Sequence, residues 1–126
     1  MSGTVQPYPD VVLRCGPRVD REEFVNVGVA LFCQASGYLR MDYRVDGDRL
    51  QAVDASVVPA EVISALDDLR DVCGGQGPAA DLSLGERFGL LAAPRSTVIQ
   101  SSPVHGGVTE DPDATLRELV LRLVSR

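Results

Sequence analysis

Lysine and tryptophan are missing altogether from this chain of 126 residues, histidine occurs once, and aromatic residues make up only 5%. Without tryptophan, and with so few rings, the core has to be filled by Val, Leu, Ile and Ala. An aromatic platform for stacking nucleic-acid bases is likewise not visible. The lack of lysine leaves twelve arginines against eighteen acidic residues, a net charge of −6. That balance opposes non-specific binding to nucleic acid or to an anionic membrane surface, both of which rely on a positive field. The all-arginine usage fits GC-rich codon choice. It also fits a more specific reading, in which some guanidinium groups hold a carboxylate or phosphate through two parallel hydrogen bonds.

Cysteine is scarce and odd in number: Cys15, Cys33 and Cys73, widely spaced, with no C-x-x-C pair. That fits neither a disulfide framework nor a zinc site, so three buried free thiols and no metal are expected. Free thiols suit a reducing compartment, and the cytoplasm is the expected location. No run approaches the roughly 18 apolar residues a membrane helix needs, and Met1 to Asp10 lacks the layout of a secretion signal.

What is present is an ordinary globular composition, 44% hydrophobic and 24% charged. The length suits one domain, expected over residues 10–126 behind a loose leader of residues 1–9 that holds two prolines. Asp10 to Cys15 reads as a strand broken by Gly16 and Pro17, and Arg18 to Glu23 as a charged turn. Phe24 to Cys33 (FVNVGVALFC) is the strongest strand. Strict alternation would put Val25, Val27, Val29, Leu31 and Cys33 on one face and Phe24, Asn26, Gly28, Ala30 and Phe32 on the other. A strand apolar on both faces belongs in the middle of a covered sheet. Tyr38 to Val45 alternates as a half-solvated strand after a hairpin-length loop, and Leu50 to Val53 suggests a further short strand.

Pro59 opens a helix with Val62, Leu66, Leu69 and Cys73 on one face, ended by Gly74-Gly75. Ser83 and Glu86 have capping-box spacing for a short helix over Leu84 to Leu91. Thr97 to Ser101 reads as a strand and Ser102 to Thr109 as an irregular segment. Asp111 then caps a helix with Pro112 at its first position and an apolar stripe of Leu116, Leu119, Val120, Leu123 and Val124. This order is not regular βαβ alternation. It predicts an α+β fold: an antiparallel or mixed sheet of about four to five strands, with two longer helices and one short helix packed against it.

Few residues could carry chemistry. Asn26 and Gly28 interrupt the apolar strand: Asn26 either ties down a neighbouring turn or faces a cleft, and Gly28 leaves room for a ligand or another backbone. Arg14, Arg18 and Arg21 flank that strand and could join Arg95 in one anion pocket, or simply pair with Asp20, Glu22 and Glu23. His105, before two glycines, is a candidate general base, but no nucleophile elbow, phosphate loop or paired-carboxylate motif accompanies it. A ligand-binding set of Arg18, Arg21, Asn26, Arg95 and His105 is therefore an expectation. No cofactor is implied.

The blocks PRVDREEFVNVGVALFC (Pro17 to Cys33) and ERFGLLAAPRSTVIQSSPVHGGVTEDP (Glu86 to Pro112) resemble the bacterial family named only as domain of unknown function 3037, from about Val11 to Val124. The resemblance implies a protein without assigned catalytic residues, its members often encoded beside a HipA-like kinase. It draws attention to Arg18, Arg21, Asn26, Gly28, Glu86, Arg87, Arg95, Ser102 and His105. Two functions follow. One is a non-enzymatic interaction or regulatory module with a HipA-like kinase as partner. The other is an enzyme or ligand-binding domain acting on a phosphorylated or carboxylated substrate through the Arg/Asn/His set.

Overall fold

The computed structural model describes residues 4–18, 23–93 and 98–124. Strands β1 (Gln6–Arg18), β2 (Glu23–Cys33) and β3 (Tyr38–Tyr43) come first. Helices α1 (Gly47–Val53), α2 (Pro59–Cys73) and α3 (Leu84–Ala92) follow, then β4 (Ile99–Ser101), β5 (His105–Thr109) and α4 (Pro112–Leu123). The five strands form one antiparallel sheet in the order β3-β2-β1-β4, with β5 also on β1. Asp10 pairs with Leu31 of β2 and with His105 of β5, so β5 lies on the side of β1 away from β2, in line with β4. The two short strands are one line of chain interrupted at residues 102–104. This is the expected α+β architecture.

The sheet is covered on both faces. On one, Val11, Leu13 and Cys15 of β1 meet Val62, Leu66 and Leu69 of α2 and Phe88 and Leu91 of α3. On the other, Val29, Leu31 and Cys33 of β2 meet Leu116, Leu119 and Val120 of α4, with Val124 just beyond it. Each fully buried aliphatic side chain contributes about 1.5–3 kcal/mol, so these apolar contacts dominate the attachment of every helix.

β2 departs from strict alternation. Leu13 pairs with Gly28 but Arg14 pairs with Asn26, leaving Val27 as an extra residue, a β-bulge. The inserted residue reverses the pattern: Val25 and Val27 share the α2/α3 face with Ala30 and Phe32, whereas Val29, Leu31 and Cys33 face α4. The single apolar face expected for Val25 through Cys33 is thus divided between two cores.

Other boundaries also moved. β1 begins at Gln6 rather than Asp10 and runs past Gly16-Pro17 to Arg18. Pro7 and Pro9 are tolerated because this stretch pairs only with β5, where a missing N–H can face outward. The Gln6 side chain holds it in place, accepting from the Cys33 thiol at 3.0 Å and from the Ser36 hydroxyl. Leu50 to Val53 lies in helix α1, because the Asp46 carboxylate accepts from Arg49 N at 3.2 Å and caps it. Residues 105–109, expected to be irregular, are β5.

The helix signals behaved as expected. Ser83 and Glu86 form a reciprocal capping box on α3, and Asp111 caps α4 through Ala114 N. Among the described residues no helix is long and apolar enough to cross a membrane.

Candidate functional site

Of the five residues expected to bind a ligand, Arg21 and Arg95 lie outside the described residues. Arg18 is described only in its backbone, which closes β1 opposite Glu23. Asn26 and His105 do not come together. Asn26 sits opposite Arg14 on the β2 side of β1, and His105 opposite Asp10 on the β5 side. They are four residues apart along β1, about 13 Å at the usual rise, and a strand's width apart across it.

The other residues of the two sequence blocks have structural work. Asn26 Nδ2 donates to the Leu123 carbonyl at 3.1 Å, tying β2 to the end of α4. Gly28 gives space to a neighbouring backbone, since a Cβ there would lie 2.9 Å from the Asp42 carbonyl. Ser102 is buried where β4 breaks off. Its Oγ accepts from Val12 N at 2.9 Å while its own N–H donates to the Val12 carbonyl at 2.8 Å, patching the ladder. Glu86 accepts from Ser83 N, which holds its carboxyl below the usual range. Arg87 donates to the carbonyls of Leu82 and Cys73. Arg14 shares the face of Val12, as the alternation indicated, with its guanidinium 5.4 Å from the Phe24 ring centre. Among the described residues no group of His, Cys, Asp or Glu side chains could hold a metal ion.

The surface that stands apart is the outer edge of β5. One side of this strand pairs with β1, and no described strand pairs with the other. His105, Gly106, Gly107 and Val108 are all exposed. Val104 and Val108 are 53% and 66% accessible, and Val5 nearby is 54% accessible. Gly106 and Gly107 bring no side chain to shield the backbone. The Tyr8 ring packs over Gly107, where a Cβ would lie 2.7 Å from its hydroxyl and the ring would have to shift to admit a larger residue. The strand is anchored at its end by Thr109, whose hydroxyl is 2.6 Å from that of Thr115 and accepts from Asp111 N.

The opposite edge of the sheet is guarded. β3 carries the charged Arg40 and Asp42, and Arg70 of α2 lies 4.5 Å over the Tyr43 ring and 3.7 Å from the Asp42 carboxylate. Tyr38 and Tyr43 donate to Asp113 and Asp67. Charged edges discourage strand addition, whereas an uncharged edge with flanking apolar residues invites it. From Val104 to Val108 the one titratable side chain is that of His105.

Beneath the strand lies a residue that sequence reasoning passed over. Asp10 is only 5% accessible. Burial pushes its carboxyl above the ordinary range, while the nearby positive charges of His105 and Arg122 pull it back down. The only sequence signal was an acidic residue at the head of an apolar strand.

Residues 11–124 match the model of a family described as protein of unknown function (DUF3037), and the chain belongs to that family. No curated protein and no solved structure matches the chain.

Proposed function

We propose that this member of the family is a non-enzymatic interaction module that accepts an extended segment of a partner protein along β5. The observation that carries this reading is the contrast between the two sheet edges: β3 is charged and tied to its neighbours, while β5 offers backbone groups and exposed valines. In strand addition, main-chain hydrogen bonds supply affinity and alternate side chains supply specificity. A matching partner segment is extended and uncharged, with an apolar residue placed against Val104 and Val108. The resemblance to the family directs attention to a HipA-like kinase as that partner.

The test is co-purification of the chain with such a kinase, followed by size exclusion at micromolar concentration. Replacing Val104 and Val108 together by lysine places charges on the edge without touching the core. The expected result is a stable complex for the natural chain and binding at least about tenfold weaker for the double variant, at unchanged thermal stability. Separate elution of the two natural proteins, or undiminished binding by the variant, defeats the reading. So does a concentration-dependent dimer of this chain through β5, which would make a second copy the occupant.

A further inference from the structure

A second concave site lies at the opposite end of β2. β3 ends at Tyr43, and although Arg44 N still donates to the Val27 carbonyl at 2.8 Å, the chain then turns through Asp46 into α1. β2 continues as Glu23–Asn26 with β1 as its described strand neighbour. Where β3 has left, a cleft of about 270 Å³ opens between the two helical layers. Its size falls just below the usual range for small-molecule sites, roughly 300–1,000 Å³, so its occupant is small.

The cleft has a defined chemistry. Val25, Val27, Val45 and Val124 form its apolar walls. Arg44, Arg49 and Asn26 supply the polar lining, with Asp46 as the one carboxylate among the lining residues. Asp46 is engaged as the cap of α1, accepting from Arg49 N. The Arg49 side chain is held in place by a bond from one terminal nitrogen to the Val124 carbonyl at 3.2 Å, which leaves its other N–H groups to donate elsewhere. The Arg44 guanidinium has no hydrogen bond or ion pair among the described residues. The bond from Asn26 Nδ2 to Leu123 fixes the orientation of that amide, so Oδ1 remains as an acceptor. The unused polar capacity is therefore mainly guanidinium donors beside a hydrocarbon wall. That combination matches a planar oxyanion on a short aliphatic body.

We infer that this cleft binds a small aliphatic carboxylate, with Arg44 and Arg49 holding the carboxylate and the valines holding the hydrocarbon. The carboxylate can belong to a free short-chain acid or to the C-terminus of a protein ending in an aliphatic residue, which the open edge of β2 could also pair. This site is independent of β5 and does not use His105.

The test is titration of ¹⁵N-labelled chain with sodium isocaproate, with the peptide acetyl-Ala-Ala-Val and with sodium acetate, following the Asn26 side-chain amide and the Arg49 signals. Saturable shifts from isocaproate or the peptide at concentrations on the order of 1 mM are expected, with acetate several-fold weaker for want of wall contacts. The tighter of the two identifies the source. Arg44→Gln, at an exposed position whose side chain makes no hydrogen bond among the described residues, should weaken binding roughly tenfold without altering the melting temperature. Arg44→Glu should abolish it. The inference is overturned by shifts no larger than sodium chloride gives at equal ionic strength. It is equally overturned by undiminished binding in Arg44→Gln.

Discussion

Asn26 Nδ2 donates to the Leu123 carbonyl at 3.1 Å, joining the bulged strand β2 to the last turn of α4 across 97 residues of sequence. The bulge at Val27 makes this contact possible. It lets Asn26 point toward α4 while Val25 and Val27 on either side enter the other core. A polar residue inside an apolar strand thus serves as a helix-end tether.

Asn26→Ala should destabilise the protein by about 1 kcal/mol, the usual net value of one such bond. The four apolar residues Leu116, Leu119, Val120 and Val124 that anchor α4 contribute several times more. The helix should therefore stay docked while its last turn frays. Urea unfolding with an unchanged m-value, together with faster amide exchange at Val124, would show this; a loss of more than about 3 kcal/mol would contradict it.

Ser102→Ala should cost more, about 1–3 kcal/mol, because Val12 N is then left buried without an acceptor. Ser102→Thr, which keeps the hydroxyl, should recover part of that loss. Equal stability of the alanine variant and the natural chain in urea would show that the break between β4 and β5 needs no patch.

Gly28→Ala should be destabilising by about 1–3 kcal/mol, since the added methyl meets the backbone of β3 rather than a movable side chain. Gly37→Ala is the control for glycine substitution with open space, because nothing lies within 4 Å, although its φ of 61° adds a smaller backbone cost. Thermal melts of the two variants separate close contact from backbone strain.

Asp10 gives the protein a pH dependence of unusual sign for a carboxylate. Its native pKa is raised, so the folded state binds the proton more tightly than the unfolded chain does. Stability from this group is greatest below its ordinary value of 3.8 and falls as pH rises through the native value. Asp10→Asn should therefore gain stability relative to the natural chain between acid and neutral pH. Glu86, with a lowered pKa, acts in the opposite sense, contributing above its ordinary range and losing that contribution on acidification. Urea titrations at several pH values test both, and parallel curves for Asp10→Asn and the natural chain would refute the assignment to Asp10.

All three thiols are buried and unpaired. Burial pushes Cys73 up to about 11 and raises Cys15 as well. Ellman's reagent at pH 8 should label none of them within minutes in the native protein and all three in denaturant. Rapid native labelling would show that a core opens.

Helices α2, α3 and α4 were legible because their signals are local. Asp111 with Pro112 and Ser83 with Glu86 act within a single turn of chain, Pro59 and Gly74 each act at their own end of α2, and the apolar spacing inside each helix matches the face that became buried. The central place of β2 was legible for a similar reason: a strand apolar on both sides has to be covered on both sides. Residues 105–109 were not legible as a strand because two glycines and a histidine carry little strand preference. They become β5 only through pairing with β1. The segment at Leu50 was misread because four residues cannot distinguish a strand from a capped turn of helix. As for the expected ligand set, spacing along the chain carried no information that Asn26 and His105 would lie on opposite sides of β1.

By itself the sequence determined the class of fold, the extents of α2, α3 and α4, the two-sided core and family membership, since these depend on periodicity, capping and motif order within short stretches. Only the tertiary structure decided that Val27 bulges, that Asn26 serves α4, that Asp10 is buried, and that one sheet edge is charged while the other stands open. Each of those depends on which distant strand supplies a hydrogen-bond partner, and pairing of that kind is settled by packing across the whole molecule.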